Sequence, residues 1–286
     1  MNPATLARQI REASGDAPAT ARALGSAAVS VIAPFLADPD DDVRLTATES
    51  LAAVAELPLD ADTVKAVQTL AIKILTDDDD QIASTGVNIL HKLPPKDRNS
   101  ELLVAWSVAT VDFVKEQTPI IAGYHGTPED RSLWEGFLLG AQEPRTDPEE
   151  DSVTPETIGG LHTGLAKMGF KPSRDWFAAT LVESKLLASE TWIDRAVYMS
   201  DPWIIATLAR MLDREDEAYT VSPDEQPKII RVKDLAAWAI LTILKPAADD
   251  KSKPAPAPTP SPVAKRRYSP EEINQVRDLA RPHLNK

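Results

Sequence analysis

Residues 35–54 read FLADPDDDVRLTATESLAAV, and this stretch decides the architecture. Phe35 and Leu36 close an apolar stripe that begins with Val29 and Ile32, spaced as one face of a helix. Asp38-Pro39-Asp40 breaks the pattern. Proline lacks the amide donor a helix interior needs and drives the residue before it out of the α region. A new series then steps by four, four and three along one side of a second helix: Val43, Ala47, Leu51 and Val54. Asp40, Asp41 and Asp42 stand where carboxylates cap the first amides and meet the positive end of the helix dipole. The small Ala47 predicts a close approach of the two helices.

The pattern returns 39 residues later. Ile74-Leu75 stands for Phe35-Leu36, Asp77 to Asp80 for the acidic turn, and Ile82, Gly86, Leu90 and Leu93 for the second-helix series. A third copy of that series is Val232, Ala236, Ile240 and Ile243, preceded by a long connection from a helix ending near Met211-Leu212. A period near 40 with two helices per unit marks helical solenoids. The segment LADPDDDVRLTATESLAAVAEL, with its Asp before the turn and its Val43-Arg44 pair, resembles a HEAT repeat. The resemblance is clear over residues 18–93 and partial over 201–245; the second copy departs from it with Ala83 in place of the basic Arg44. It implies an all-α, right-handed, armadillo-like α-solenoid of HEAT-like hairpins.

Composition agrees with an all-α chain. Alanine and leucine dominate, aromatic residues are 5% of the 286, and no alternating β-branched run stands out. The absence of cysteine excludes disulfides and thiolate metal sites. No secretory signal and no apolar run of about 18 residues is visible, so the expectation is a soluble, cytoplasmic protein with no membrane role. The alanine-rich composition suggests a bacterial source. The net charge of −13 makes nucleic acid a poor partner, since phosphate affinity comes from clustered Lys and Arg. Residues 246–286 hold eight basic against five acidic side chains, a net of +3, which leaves −16 for residues 1–245.

Along the chain, Pro3 to Ala13 reads as a helix capping the open end of the stack, followed by helices near 18–37, 41–56, 62–76 and 80–92. Further helices are expected at 100–116, 128–141, 154–168, 172–187, 189–199, 201–213 and 229–245. Thr118 to Pro128, with its prolines and glycines, reads as a loop, as does the charged Arg214 to Gln226. Residues 142–155, QEPRTDPEEDSVTP, read as an exposed loop and a seam within a solenoid of residues 1–245. Residues 246–268 read as a disordered, Pro/Ala-rich spacer. Residues 269–286 then carry a docking helix, capped by Ser269 with Pro270 at its first position. Its stripe of Ile273, Val276, Leu279 and Ala280 is too short to be stable alone, so the solenoid or a partner must receive it.

Chemistry is sparse. The four histidines, His91, His125, His162 and His283, form no HExxH pair, and no nucleophile elbow, P-loop or dinucleotide fingerprint is present. His91 reads as solvated or capping; His125 and His162 are the two worth testing for catalysis. The Asp77 to Asp80 run lacks the ligand spacing and glycine of a calcium loop. Gly159, Gly160 and Gly164 lack the lysine and preceding strand of a phosphate cradle and read as helix packing. No catalytic, cofactor or metal residue is therefore assigned.

The expected function is a non-catalytic scaffold, adaptor or immunity-type inhibitor that binds another protein. Its expected contacts are an acidic ridge of Asp40, Asp41, Asp42, Asp78, Asp79 and Asp80, suited to a basic surface, and the tail residues Ile273, Val276 and Leu279. Two alternatives stand beside it. One is an enzyme on a HEAT-repeat frame, such as a bilin-lyase-like one, which would show a concave pocket of converging polar groups. The other is a component that self-associates through its C-terminal helix.

Overall fold

The computed structural model describes residues 2–94, 99–123, 128–142, 154–183, 190–221, 228–244 and 267–284. The chain forms two compact units, Met1–Phe170 and Lys171–Lys286. The division falls at Phe170, after the 142–155 stretch expected as a seam, and the C-terminal helix belongs to the second unit. Residues 143–153 of that stretch and most of the 246–268 spacer lie outside the described residues.

In the first unit, the described helices form five hairpins. They pair α1 (Pro3–Arg11) with α2 (Ala17–Leu24), α3 (Ala27–Ile32) with α4 (Asp41–Ala55), and α5 (Ala61–Ile74) with α6 (Asp80–Lys92). The last two pair α7 (Asn99–Val108) with α8 (Asp112–Gly123), and α9 (Pro128–Gln142) with α10 (Pro155–Lys167). Each helix also packs on the one two places along, so the even-numbered helices make one layer and the odd-numbered helices the other. A stack in which each hairpin leans on its neighbours is a solenoid.

The deciding stretch folds as its pattern requires. Asp40 caps α4, accepting from the Asp42 amide at 3.0 Å, and Val43, Ala47, Leu51 and Val54 are all buried. In the second copy Asp79 caps α6 by accepting from the Gln81 and Ile82 amides, each at 2.9 Å, and Ile82, Gly86, Leu90 and Leu93 are buried. Truncating Leu51 to Ala would cost about 2–5 kcal/mol.

Two expectations for this unit need correction. The single helix over 18–37 is α2, α3 and a 3-10 turn at Ala33–Ala37, because Gly25 takes a positive φ of 60° and Pro34 tightens the last turn. The loop expected from Thr118 is also wrong: α8 runs through to Gly123 with Pro119 inside it, and the break falls earlier, at residues 109–111. Proline 119 cannot donate to the Lys115 carbonyl one turn back. The Trp106 indole Nε1–H donates to that carbonyl instead, at 2.7 Å, so the helix continues with its acceptor satisfied.

The α8–α10 pair is the closest in the stack. A Cβ on Gly160 would lie 2.0 Å from the Glu116 carbonyl oxygen, and one on Gly164 would lie 2.1 Å from that of Pro119. These glycines let two helix backbones touch, as the packing reading expected.

The second unit comprises α11 (Lys171–Glu183), α12 (Glu190–Met199), α13 (Pro202–Arg210), α14 (Val232–Leu244) and α15 (Pro270–Ala280). Part of the connection expected as a charged loop is a β-hairpin. Strand β1 (Glu217–Val221) pairs antiparallel with β2 (Lys228–Arg231), setting Glu217 opposite Arg231 and Tyr219 opposite Ile230. The last body helix consequently starts at Val232 rather than at 229. Aside from this hairpin the described fold is all-α.

Candidate functional site

The acidic turns meet around one arginine. Arg44 Nε and Nη2 donate to the two Asp77 carboxylate oxygens at 2.9 and 3.1 Å, and Nη1 donates to the Asp38 carbonyl at 3.1 Å. Its ion pairs extend to Asp41 at 2.8 Å and Asp78 at 3.3 Å. Arg44 and Asp77 are mostly withdrawn from solvent, at 13% and 12% side-chain exposure. A bidentate pair of this kind is strong because both groups are ionised and the fork matches the carboxylate. The Asp77 hydrogen bonds hold Arg44 above its ordinary pKa. Burial alone would raise Asp77, yet the Arg44 hydrogen bond, the Asp79 amide and the guanidinium charge together hold it below the usual carboxylate range.

Of the expected ridge, Asp40 and Asp79 are committed to capping and Asp41 to Arg44. Asp40, Asp41, Asp42, Asp78 and Asp80 are nonetheless exposed, Asp41 at 70% and Asp78 at 93% even while they touch Arg44. Of the six, Asp41 and Asp78 meet at Arg44, which acts with Asp77 as a stacking bolt between the two turns. Arg44 and Asp77 were absent from the expected contacts; the signal was Asp77 standing as the second copy of Asp38.

The tail stripe packs on the chain itself, one of the two covers expected for it. Ile273 and Val276 are 4% and 2% exposed, turned onto the chain's own second unit, where α15 packs on α13 and α14. Only Leu279, 51% exposed, faces outward. Arg277 donates to the Leu212 carbonyl at 3.3 Å and pairs with Asp213. At the start of the segment, the Tyr268 amide donates to Asp234 Oδ1 at 3.1 Å. Asp234 is fully buried and also accepts from the Arg231 amide at 3.0 Å and its Nε at 3.1 Å, which ties β2, α14 and the C-terminal segment at one carboxylate. Sequence periodicity had no signal for this node beyond an acid in the first turn of α14.

A second surface went unread in the sequence. Six of the eight large hydrophobic residues exposed among the described residues fall between 104 and 139: Val104, Val108, Phe113, Leu133, Phe137 and Leu139. Val104 and Val108 are one turn apart on α7, and Leu133 and Phe137 are one turn apart on α9. Behind them Trp106 packs edge-on to Trp134, centroids 5.5 Å apart, and to Phe137 at 4.8 Å. Such edge-to-face pairs contribute about 0.5–1.5 kcal/mol each beyond the area they bury.

The histidines offer little chemistry. His91 lies in the last turn of α6, half-buried rather than solvated, with Nε2 3.3 Å from Gln117 Oε1; burial pushes its pKa below the ordinary value and the Gln117 bond opposes this. His162 is buried on α10 and desolvation pushes its pKa down to about 4. His125 lies outside the described residues. A groove of about 650 Å³ between α3 and α5 is lined by Val29, Ala33, Ala66 and Leu70 with Asp62 and Lys65 at its margin, and is mostly apolar and open. Among the described residues no group of three or more His, Asp or Glu could hold a metal ion, and no helix is long and apolar enough to cross a membrane.

The two-layer stack of consecutive hairpins among the described residues of 2–170 makes this unit an α-solenoid of helical hairpins. No family model and no curated protein matches the chain. Among solved structures, an archaeal HEAT-like repeats protein from Thermococcus onnurineus NA1 aligns with it at 13% identity and a TM-score of 0.48, over 100% of this chain and 99% of that one. An engineered protein aligns at 15% identity and a TM-score of 0.40, over 85% of this chain and 68% of that one.

Proposed function

We propose that this chain is a non-catalytic protein-binding scaffold whose docking surface is the apolar face of α7 and α9. The observation that carries the reading is the concentration of exposed large apolar side chains on residues 104–139, set against described residues 2–94, where no large apolar side chain is exposed. Scattered exposed leucines are ordinary, whereas a cluster on neighbouring helices marks an interaction site. The aromatic backing of Trp106 and Trp134 supplies a pre-ordered platform, which lowers the entropy lost on binding.

A second reading, a basic partner on the acidic edge, is favoured by the exposed Asp42, Asp78 and Asp80. Affinity capture with the full chain, followed by titration of the recovered protein, separates the two. The apolar-face reading predicts that Val104→Glu with Leu133→Glu weakens binding by about tenfold or more, while Asp42→Lys with Asp78→Lys changes it less than about threefold. The reverse pattern would move the site to the acidic edge. Insensitivity to both pairs would remove both surfaces.

A further inference from the structure

We infer that the α13–α14 face is an exchangeable helix-docking site, and that its occupant in trans is the α15 helix of a second copy of this chain. The cis complex shows what the site recognises. Ile273, Val276 and Ala280, spaced three and four apart, supply the apolar face, and Arg277 reaches the Leu212 carbonyl and Asp213. The Tyr268 amide meets the buried Asp234. Every one of these groups lies within residues 268–280. The helix also carries its own capping box, with Ser269 Oγ accepting from the Glu272 amide at 3.2 Å and Glu272 accepting from the Ser269 amide at 2.8 Å. It is a self-contained ligand: 11 helical residues, unstable alone and stable once docked.

Chain length permits exchange. Leu244 ends α14 and Arg267 opens the docked segment, with the 22 residues 245–266 between them. At about 3 Å per residue such a length spans up to roughly 65 Å, against a radius of gyration of about 13 Å for a domain of this unit's size. A tail can therefore reach the site of a neighbouring copy. Tethering gives the cis helix an effective concentration of about 1 mM, so a dilute chain fills its own site and exchange grows when the cis contact is weakened. This inference does not depend on the α7–α9 reading.

The test uses two full-length single variants, Asp213→Arg and Arg277→Asp. Both positions are exposed, at 78% and 40%, so folding is not at stake, and circular dichroism checks it. Each variant alone sets like charges against each other in cis and in self-association. An equimolar mixture restores opposite charges in both trans contacts. Light scattering at about 0.5 mM is expected to show a dimer fraction at least about threefold higher in the mixture than in either variant alone. A mixture no more dimeric than its components overturns the inference. Hydrogen exchange on the wild-type full chain is the second readout: amides of 270–280 are expected to exchange at least about tenfold faster than those of α14, and equal protection would mean that the helix does not leave its site.

Discussion

In residues 2–94 the stack is tied at its edge by charge, with Arg44 of one turn gripping Asp77 of the next. In residues 99–167 it is tied through its middle by backbone contact, with Gly160 and Gly164 of α10 lying on the carbonyls of α8. The edge tie does not extend further. Ala83 stands where a second Arg44 would be, and the next turn, at 109–111, has no acid to receive one. The hairpin architecture is thus indifferent to how neighbours are joined. The difference bears on function: the glycine-knit half is the one that exposes its hydrophobic residues, and a close helix contact is a firm mount for a binding face.

The largest effect that would break the comparison is at the glycines. Gly164→Val forces side-chain atoms onto the Pro119 carbonyl, and thermal denaturation of the full chain should show a loss of about 3 kcal/mol or more. A loss under about 1 kcal/mol would mean that α8 and α10 can separate without cost. Next comes Arg44→Ala, which strands the withdrawn Asp77; about 2 kcal/mol is expected, and Asp77→Asn in a double-mutant cycle should recover part of it. Additive losses would show that the contact carries no coupling.

The buried His162 should make stability pH-dependent at a similar or smaller scale. Its folded pKa, about 4, lies below the ordinary 6.5, so between these values the unfolded chain binds the extra proton and stability falls as pH falls. Roughly 2 kcal/mol should be lost across that window, and His162→Gln should flatten the slope. Asp77 adds a loss only at lower pH, beginning below its ordinary 3.8, because its folded pKa is depressed. Trp106→Phe leaves a smaller aromatic ring and removes the donor to the Lys115 carbonyl, for about 1–2 kcal/mol. Smallest is Gly86→Ala. Its Cβ would sit 3.0 Å from Ile74 Cγ2 and 3.1 Å from the Ala71 carbonyl, and the strain is offset by about 1 kcal/mol of helix propensity, leaving the net within about 1 kcal/mol. A Gly86→Ala loss as large as that of Gly164→Val would erase the distinction between the two halves.

The sequence was legible where the rules are local. Asp40 and Asp79 cap the helices their positions implied, Ser269 forms its capping box, and the 39-residue echo of the apolar series locates two hairpins. It misled where a distant group repaired a local fault. Pro119 looked like a helix end because the Trp106 indole that satisfies the freed carbonyl comes from another helix. The stripe of Ile273 and Val276 demanded a cover, but periodicity does not say which surface supplies it. The exposed α7–α9 face was hidden for the converse reason. Val104, Leu133 and Phe137 carry the same letters as core residues, and only the layer in which a helix packs decides which of them meet solvent.

Hydrogen exchange of the full chain, wild type against Arg44→Ala, tests most directly the claim that the two halves are held by different means. The account predicts that amides of α4 and α6 lose protection by at least about tenfold while those of α8 and α10 keep theirs. A uniform loss across both halves would show one cooperative block in which the charge bolt and the glycine contact share the same load.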